Sequence, residues 1–208
     1  MKLDHVLIAV ADLTASVAEF ESRYGLASIA GGRHGGWGTA NRIVPLGDAY
    51  LELIAVVDPD AAAGSAVGRW VASGQVGKPL GWAVRTGRIE AVARRLDLTL
   101  GSGSRAAAGG QRLRWRMAGI ERAAAEPMLP FFIEWGPGTR FPGRVSAQHR
   151  TATAIRTLVL EGDSGRLSAW LGSHELPIVV RAGSPRVAAV VVSTAAGEIV
   201  LGSTGALE

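Results

Sequence analysis

Two stretches decide the fold. LDHVLIAVADL at residues 3–13 is closed by YLELIAV at 50–56, and LGWAVRTGRI at 80–89 is closed by PFFIEW at 130–135. Each opening stretch is a short apolar strand that runs into a helix. Leu13, Ser16, Val17 and Phe20 fall at i, i+3, i+4 and i+7, and Ile89, Val92, Ala93 and Leu96 repeat that spacing. Asp12 is placed to cap the first helix and Gly25 to end it. Each closing strand sets one carboxylate, Glu52 or Glu134, among hydrophobic residues. With the intervening strands the pattern is βαβββ, once over residues 1–57 and again over 79–135.

Working outward, Asn41–Leu46, Tyr50–Val56, Gln111–Met117 and Met128–Trp135 read as strands. The glycine-dense segments AGGRHGGWGT (30–39) and GSGSRAAAGG (101–110) read as loops, and residues 59–77 as a connector with one helix around Val67–Ala72. After a Gly/Pro/Arg linker at 136–150, a weaker third copy follows. It has a strand at Ile155–Leu160, a helix marked by Leu167, Trp170 and Leu171, and Val187–Val192 paired with Glu198–Leu201. Its opening and closing strands hold no His or Glu in the matching places, so it reads as an appendage that extends the sheet or covers an edge.

One βαβββ unit cannot close on itself, because its sheet keeps an open edge and an unburied face. Two units side by side bury each other's edges and curl around a shared cavity. The expected fold class is therefore α+β: tandem βαβββ modules forming a curved, partly closed mixed sheet around a cleft, within residues 1–138. A third, partial βαβββ-like module at residues 150–208 packs on the same domain. The cleft between the modules is the natural ligand site.

Composition excludes several classes. In 208 residues, 48% apolar and 19% charged content supports a sizeable core and argues against disorder. Net charge is only +4, and no basic run is interleaved with stacking aromatics, so nucleic acid is not an expected partner. Arg112, Arg114 and Arg116 alternate as on one solvated face of a strand. The chain has no cysteine, which removes disulfides, zinc–thiolate sites and a cysteine nucleophile. MKLDHVLIAVADL lacks the layout of a signal peptide, and no apolar run reaches bilayer length. A soluble, cytoplasmic protein with no membrane partner is expected.

An ionisable group inside an apolar strand is costly unless it is paired or bound to a metal. That singles out His5, Glu52 and Glu134. His34, in the first glycine-dense segment, is within reach of a ligand, and Asn41 can brace that segment by hydrogen bonds. Tyr50, Trp82, Phe132 and Trp135 lie on strands expected to border the cleft. Core packing accounts for most such aromatics; those that line the pocket would make the ligand partly apolar. His149, in the linker, is a substitute ligand only if it swings inward, and His174 reads as a helix-end residue. The glycine segment lacks the strand-to-helix setting of a phosphate cradle.

GGRHGGWGTANRIVPLG at 31–47, followed by YLELIAV, resembles the vicinal oxygen chelate superfamily, the glyoxalase/bleomycin-resistance/dioxygenase group, and within it the glyoxalase-like domain subgroup. The resemblance implies a divalent metal (Mn, Fe, Zn or Mg) held by His5, Glu52 and Glu134. The fourth ligand position falls on Gly81, with Trp82 beside it, and neither side chain can ligate. It further implies a small metabolite with neighbouring oxygens, with Glu52 or Glu134 doubling as general base in lyase, isomerase or dioxygenase chemistry. His34, Asn41, Tyr50, Trp82 and Phe132 would contact the substrate. The alternative is a metal-free protein that binds or sequesters a small molecule, as bleomycin-resistance proteins do; the missing ligand at Gly81 favours it. A homodimer formed through an exposed sheet edge is the expected assembly.

Overall fold

The computed structural model describes residues 1–106, 112–145 and 152–203. The first module comprises β1 (Lys2–Ala9), α1 (Leu13–Tyr24), β2 (Ile29–His34), β3 (Thr39–Pro45) and β4 (Tyr50–Val56). The Asp12 carboxylate caps α1 by accepting from the Ala15 N–H at 2.7 Å. Two helices fill the connector, α2 (Pro59–Ala63) and α3 (Ala66–Ser73), where the sequence suggested one. The second module follows as β5 (Pro79–Arg85), α4 (Ile89–Leu96), β6 (Leu100–Ala106), β7 (Arg112–Ala118), a short α5 (Ile120–Ala125) and β8 (Phe131–Trp135).

All eight strands form one sheet in the order β2-β3-β4-β1-β5-β8-β7-β6. In each module the opening strand lies parallel to the closing strand, and antiparallel pairing of β1 with β5 joins the modules. His5 stands opposite Ala83, and Leu7 opposite Gly81. The sheet curls until its outer strands meet: Arg105 of β6 donates through Nη1 to the carbonyl of Gly31 on β2 at 2.9 Å.

The central strands are apolar on both faces because both faces are covered. On the convex side Val6, Leu53, Trp82 and Phe132 share a core with Phe20 of α1 and with Ile89 and Val92 of α4. On the concave side Leu7, Ile54, Ala83 and Phe131 meet Val67, Trp70 and Val71 of α3 and Ala123 of α5. Helix α3 thereby stoppers one end of the cleft.

Residues 30–34 and 101–106 of the two glycine-dense segments lie in strands β2 and β6 instead of loops, a single helical turn follows at 35–37, and residues 107–110 lie outside the described residues. The reason is close approach. A Cβ on Gly31 would overlap the side chain of Asn41, and one on Gly32 would overlap the stem of Arg105. Glycine at these positions lets both side chains lie across the strand. A reading based on hydrophobic alternation misses such strands.

The C-terminal unit consists of β9 (Ala152–Glu161), α6 (Ser164–Leu171), β10 (Ile178–Arg181), β11 (Arg186–Thr194) and β12 (Gly197–Gly202), forming a second sheet in the order β10-β9-β11-β12. The chain order βαβββ recurs, but the first strand is flanked by β10 and β11 and not by the last strand. This unit covers the convex face. Trp170 stacks on Phe132 with ring centroids 6.1 Å apart and donates to the Pro130 carbonyl at 2.9 Å. Among the described residues, no helix is long and apolar enough to cross a membrane.

Candidate functional site

The site begins with an irregularity in β1. Leu3 pairs with Val84 and His5 with Ala83, so Asp4 is an extra residue in the ladder, a β-bulge. The bulge lets two successive side chains meet. His5 Nδ1 lies 2.7 Å from Asp4 Oδ1, with both groups buried. Asp4 Oδ2 accepts from Trp135 Nε1 at 3.0 Å and has the Arg85 guanidinium at 3.5 Å. An ionised carboxylate can only accept, so Asp4 fixes the hydrogen on Nδ1 and turns Nε2 toward the cleft.

There His5 Nε2 meets Glu52 Oε2 at 3.3 Å. The other oxygen of Glu52 accepts from Asn41 Nδ2 at 2.5 Å, and Asn41 Oδ1 accepts from the Gly32 N–H at 2.6 Å. One hydrogen-bonded chain therefore runs from Trp135 of the second module through Asp4, His5, Glu52 and Asn41 to the backbone of β2. The His5 ring is clamped between Tyr50, stacked at 4.6 Å, and the edge-on ring of Phe131 at 5.4 Å. Burial, reinforced by the charges of Asp4 and Glu52, pushes the Tyr50 phenol well above its usual range, so it stays a neutral donor.

This network floors a cavity of about 60 Å³. Its walls differ. The first module contributes His5, His34, Asn41, Tyr50 and Glu52; the second contributes Trp115, Met117, Phe131, Ile133 and Trp135, with Arg105 and Trp37 completing the enclosure. His34 Nδ1 lies 3.0 Å from Thr39 Oγ1. Burial lowers its pKa, with Arg105 pushing the same way and Glu52 opposing, so this imidazole is neutral at pH 7.

Five of the expected site residues thus share one cavity: His5, His34, Asn41, Tyr50 and Glu52. Three do not, and strand alternation is the reason. On β8 it is Phe131, Ile133 and Trp135 that face the cleft, which turns Phe132 and Glu134 to the convex side. Glu134 pairs there with Arg116, which also holds Glu90 at 2.6 Å, and accepts from the Ile89 N–H at 3.3 Å. Phe132 lies under Trp170. Trp82 is fully buried in the convex core and donates to the Met128 carbonyl at 2.9 Å. His174 accepts from the Leu176 N–H near the end of α6, and His149 lies outside the described residues. Sequence reasoning passed over Asp4, Trp37, Arg105 and Trp115. Only Asp4 carried a usable signal, as a carboxylate directly preceding His5 in an apolar strand.

The donor set does not fit the chelate that the family resemblance implies. Of its three residues only His5 and Glu52 reach the cleft, and they face each other at hydrogen-bonding range. A side chain at Gly81 is blocked, because its Cβ would overlap the indole of Trp70 from α3. Among the described residues, no group of three or more His, Cys, Asp or Glu is disposed to hold a metal ion.

Comparison with known proteins agrees with this architecture. Residues 3–175 match the family described as Glyoxalase-like domain, bearing out the resemblance read from the sequence. No curated protein matches the chain. Among solved structures, a hypothetical protein from Staphylococcus aureus aligns with 93% of this chain and 91% of its own, with a TM-score of 0.72 at 16% identity. Methylmalonyl-CoA epimerase from Mycobacterium tuberculosis aligns with 65% of this chain and 87% of its own, with a TM-score of 0.44 at 20% identity. The Streptomyces coelicolor epimerase, in complex with 2-nitronate-propionyl-CoA, covers 64% and 94%, with a TM-score of 0.44 at 21% identity. At 16% identity the likeness to the Staphylococcus aureus protein is one of fold.

Proposed function

We propose that this chain, which belongs to the glyoxalase-like domain family, binds a small oxygen-bearing molecule in the cleft between its paired modules and does so without a divalent ion. One observation carries the reading: the first module lines the cavity with His5, His34, Asn41, Tyr50 and Glu52, while the second lines it with aromatic and aliphatic side chains apart from Arg105. A ligand with an oxygen function at one end and a carbon body at the other matches both. The oxygen would lie toward His5, Glu52 and Asn41, and the body against Phe131, Ile133 and Trp115.

The chemistry open to such a site is proton transfer at the ligand's oxygen or at the carbon beside it. Asp4 holds the imidazole in one tautomer, and Glu52 stands at Nε2 as the partner group. The pair needs no ion to be positioned, since the bulge and the Asn41 bond already fix it.

Trp37, Trp115 and Trp135 line the cavity and report on it. In protein dialysed against EDTA, small hydroxy- and oxo-compounds should change tryptophan fluorescence saturably, and His5→Ala should weaken the response. Added Mn²⁺, Mg²⁺, Zn²⁺ or Fe²⁺ should neither raise the Tm nor be required. A response that appears only with an ion, and vanishes with it, would overturn the metal-free reading.

A further inference from the structure

We propose that Arg105 is an anion receptor built into the cleft, and that the ligand is a small organic acid whose carboxylate or other oxyanion seats on this guanidinium. The proposal rests on the reading of the cleft as a ligand site and narrows the class of ligand.

Arg105 is the one Lys or Arg among the described residues that line the cavity. Several guanidinium groups elsewhere hold carboxylates, as Arg85 does Asp4, Arg116 does Glu134 and Glu90, and Arg186 does Glu161, while Arg69 and Arg95 hold backbone carbonyls outside the cavity. Arg105 has none within 4 Å among the described residues; the partner of its Nη1 is the neutral carbonyl of Gly31. Glu52 is not its counter-charge, being engaged by His5 and Asn41. The position is nevertheless prepared, because Gly32 has no side chain where the stem of Arg105 lies. The charge is also felt inside the cavity, where it lowers the pKa of His34 and opposes the rise at Tyr50.

A guanidinium that lines the cavity and holds a neutral carbonyl among the described residues gains by exchanging it for an anion. Charge-assisted bonds are roughly twice as strong as neutral ones, and a carboxylate accepts the planar fork bidentately. The exchange has a second effect. The Arg105–Gly31 bond spans the seam between the outer strands of the sheet. An acid that draws Arg105 off Gly31 frees that seam, so the anion is recognised and the seam released in one event. A cationic ligand would be repelled, and a neutral one would leave the Arg105–Gly31 bond in place.

The test uses matched acid and amide probes: propionate with propionamide, and benzoate with benzamide. They are titrated at constant ionic strength by tryptophan fluorescence into wild type, Arg105→Gln and Arg105→Lys. The expected result is a preference of about tenfold or more for each acid over its amide in wild type. Arg105→Gln should bring the acid down to the affinity of the amide, while Arg105→Lys keeps part of the preference. Far-UV circular dichroism establishes that both variants are folded. Equal binding of acid and amide in wild type, or equal weakening of both by Arg105→Gln, overturns the anion receptor and leaves the cleft a ligand site. If no probe alters the fluorescence of wild type, the receptor is overturned together with the ligand-site reading for ligands of this size.

Discussion

His5 Nε2 and Glu52 Oε2 face each other across 3.3 Å between two parallel strands of one module, with both side chains almost wholly withdrawn from solvent. A carboxylate buried this deeply relies on its partners. His5→Ala should therefore cost about 3 kcal/mol in urea denaturation, because it strands Glu52 with Asn41 alone. Glu52→Gln should cost less, since a carboxamide carries no charge to be stranded and can both donate to Nε2 and accept from Asn41. If His5→Ala were as stable as wild type, the pair would not have the structural weight assigned to it.

Trp70 and Gly81 form a tight contact of a different kind, helix α3 against strand β5. Gly81→Ala should destabilise by about 2 kcal/mol, the usual range for overpacking. In a Trp70→Ala background most of that loss should disappear, and a double-mutant cycle measures the coupling. Additive effects would show that the two residues do not compete for the same space.

Glu134 sits outside the cleft in a partly exposed ion pair with Arg116. Glu134→Gln should change stability by no more than about 1 kcal/mol and leave the fluorescence response to ligands untouched. Glu52→Gln should alter that response. Were Glu134→Gln the more damaging to binding, the assignment of faces on β8 would be wrong.

His34 gives the fold a pH dependence whose sign follows from its surroundings. Burial holds its folded pKa below the ordinary value of 6.5, with Arg105 adding to the effect and Glu52 resisting it. The unfolded chain therefore binds a proton first as pH falls. Stability contributed by the neutral ring is fully present above 6.5 and is lost as pH drops through the folded value. Urea midpoints measured between about pH 7.5 and 5 should fall less steeply for His34→Gln than for wild type. Parallel slopes would remove His34 as the origin.

The duplicated module was legible because helix spacing and apolar opening strands are local signals, and both copies carry them in order. The polar half of the site was legible for the same reason: His5, Glu52, Asn41, Tyr50 and His34 all belong to the first copy. The second half misled. FFIEW looks like a counterpart of YLELIAV, but which of two alternating faces a strand turns inward depends on pairing register, which β5 and β7 supply. Trp82, Phe132 and Glu134 therefore went to the wrong side. The bulge at Asp4 was hidden because it exists only relative to the neighbouring strand. The contribution of Arg105 depends on how far an eight-stranded sheet curls, which no short stretch of sequence records.

The unlike walls of the cavity bear on handedness. A scaffold made of two equal copies would offer a guest two equivalent ways to lie, related by half a turn. Here the first copy supplies imidazoles, an amide and a carboxylate, and the second a hydrocarbon surface broken by one guanidinium, so only one way remains. A guest held in a single pose shows the imidazole only one of its faces, which sharpens the distinction between mirror-image molecules that any site of L-residues already draws.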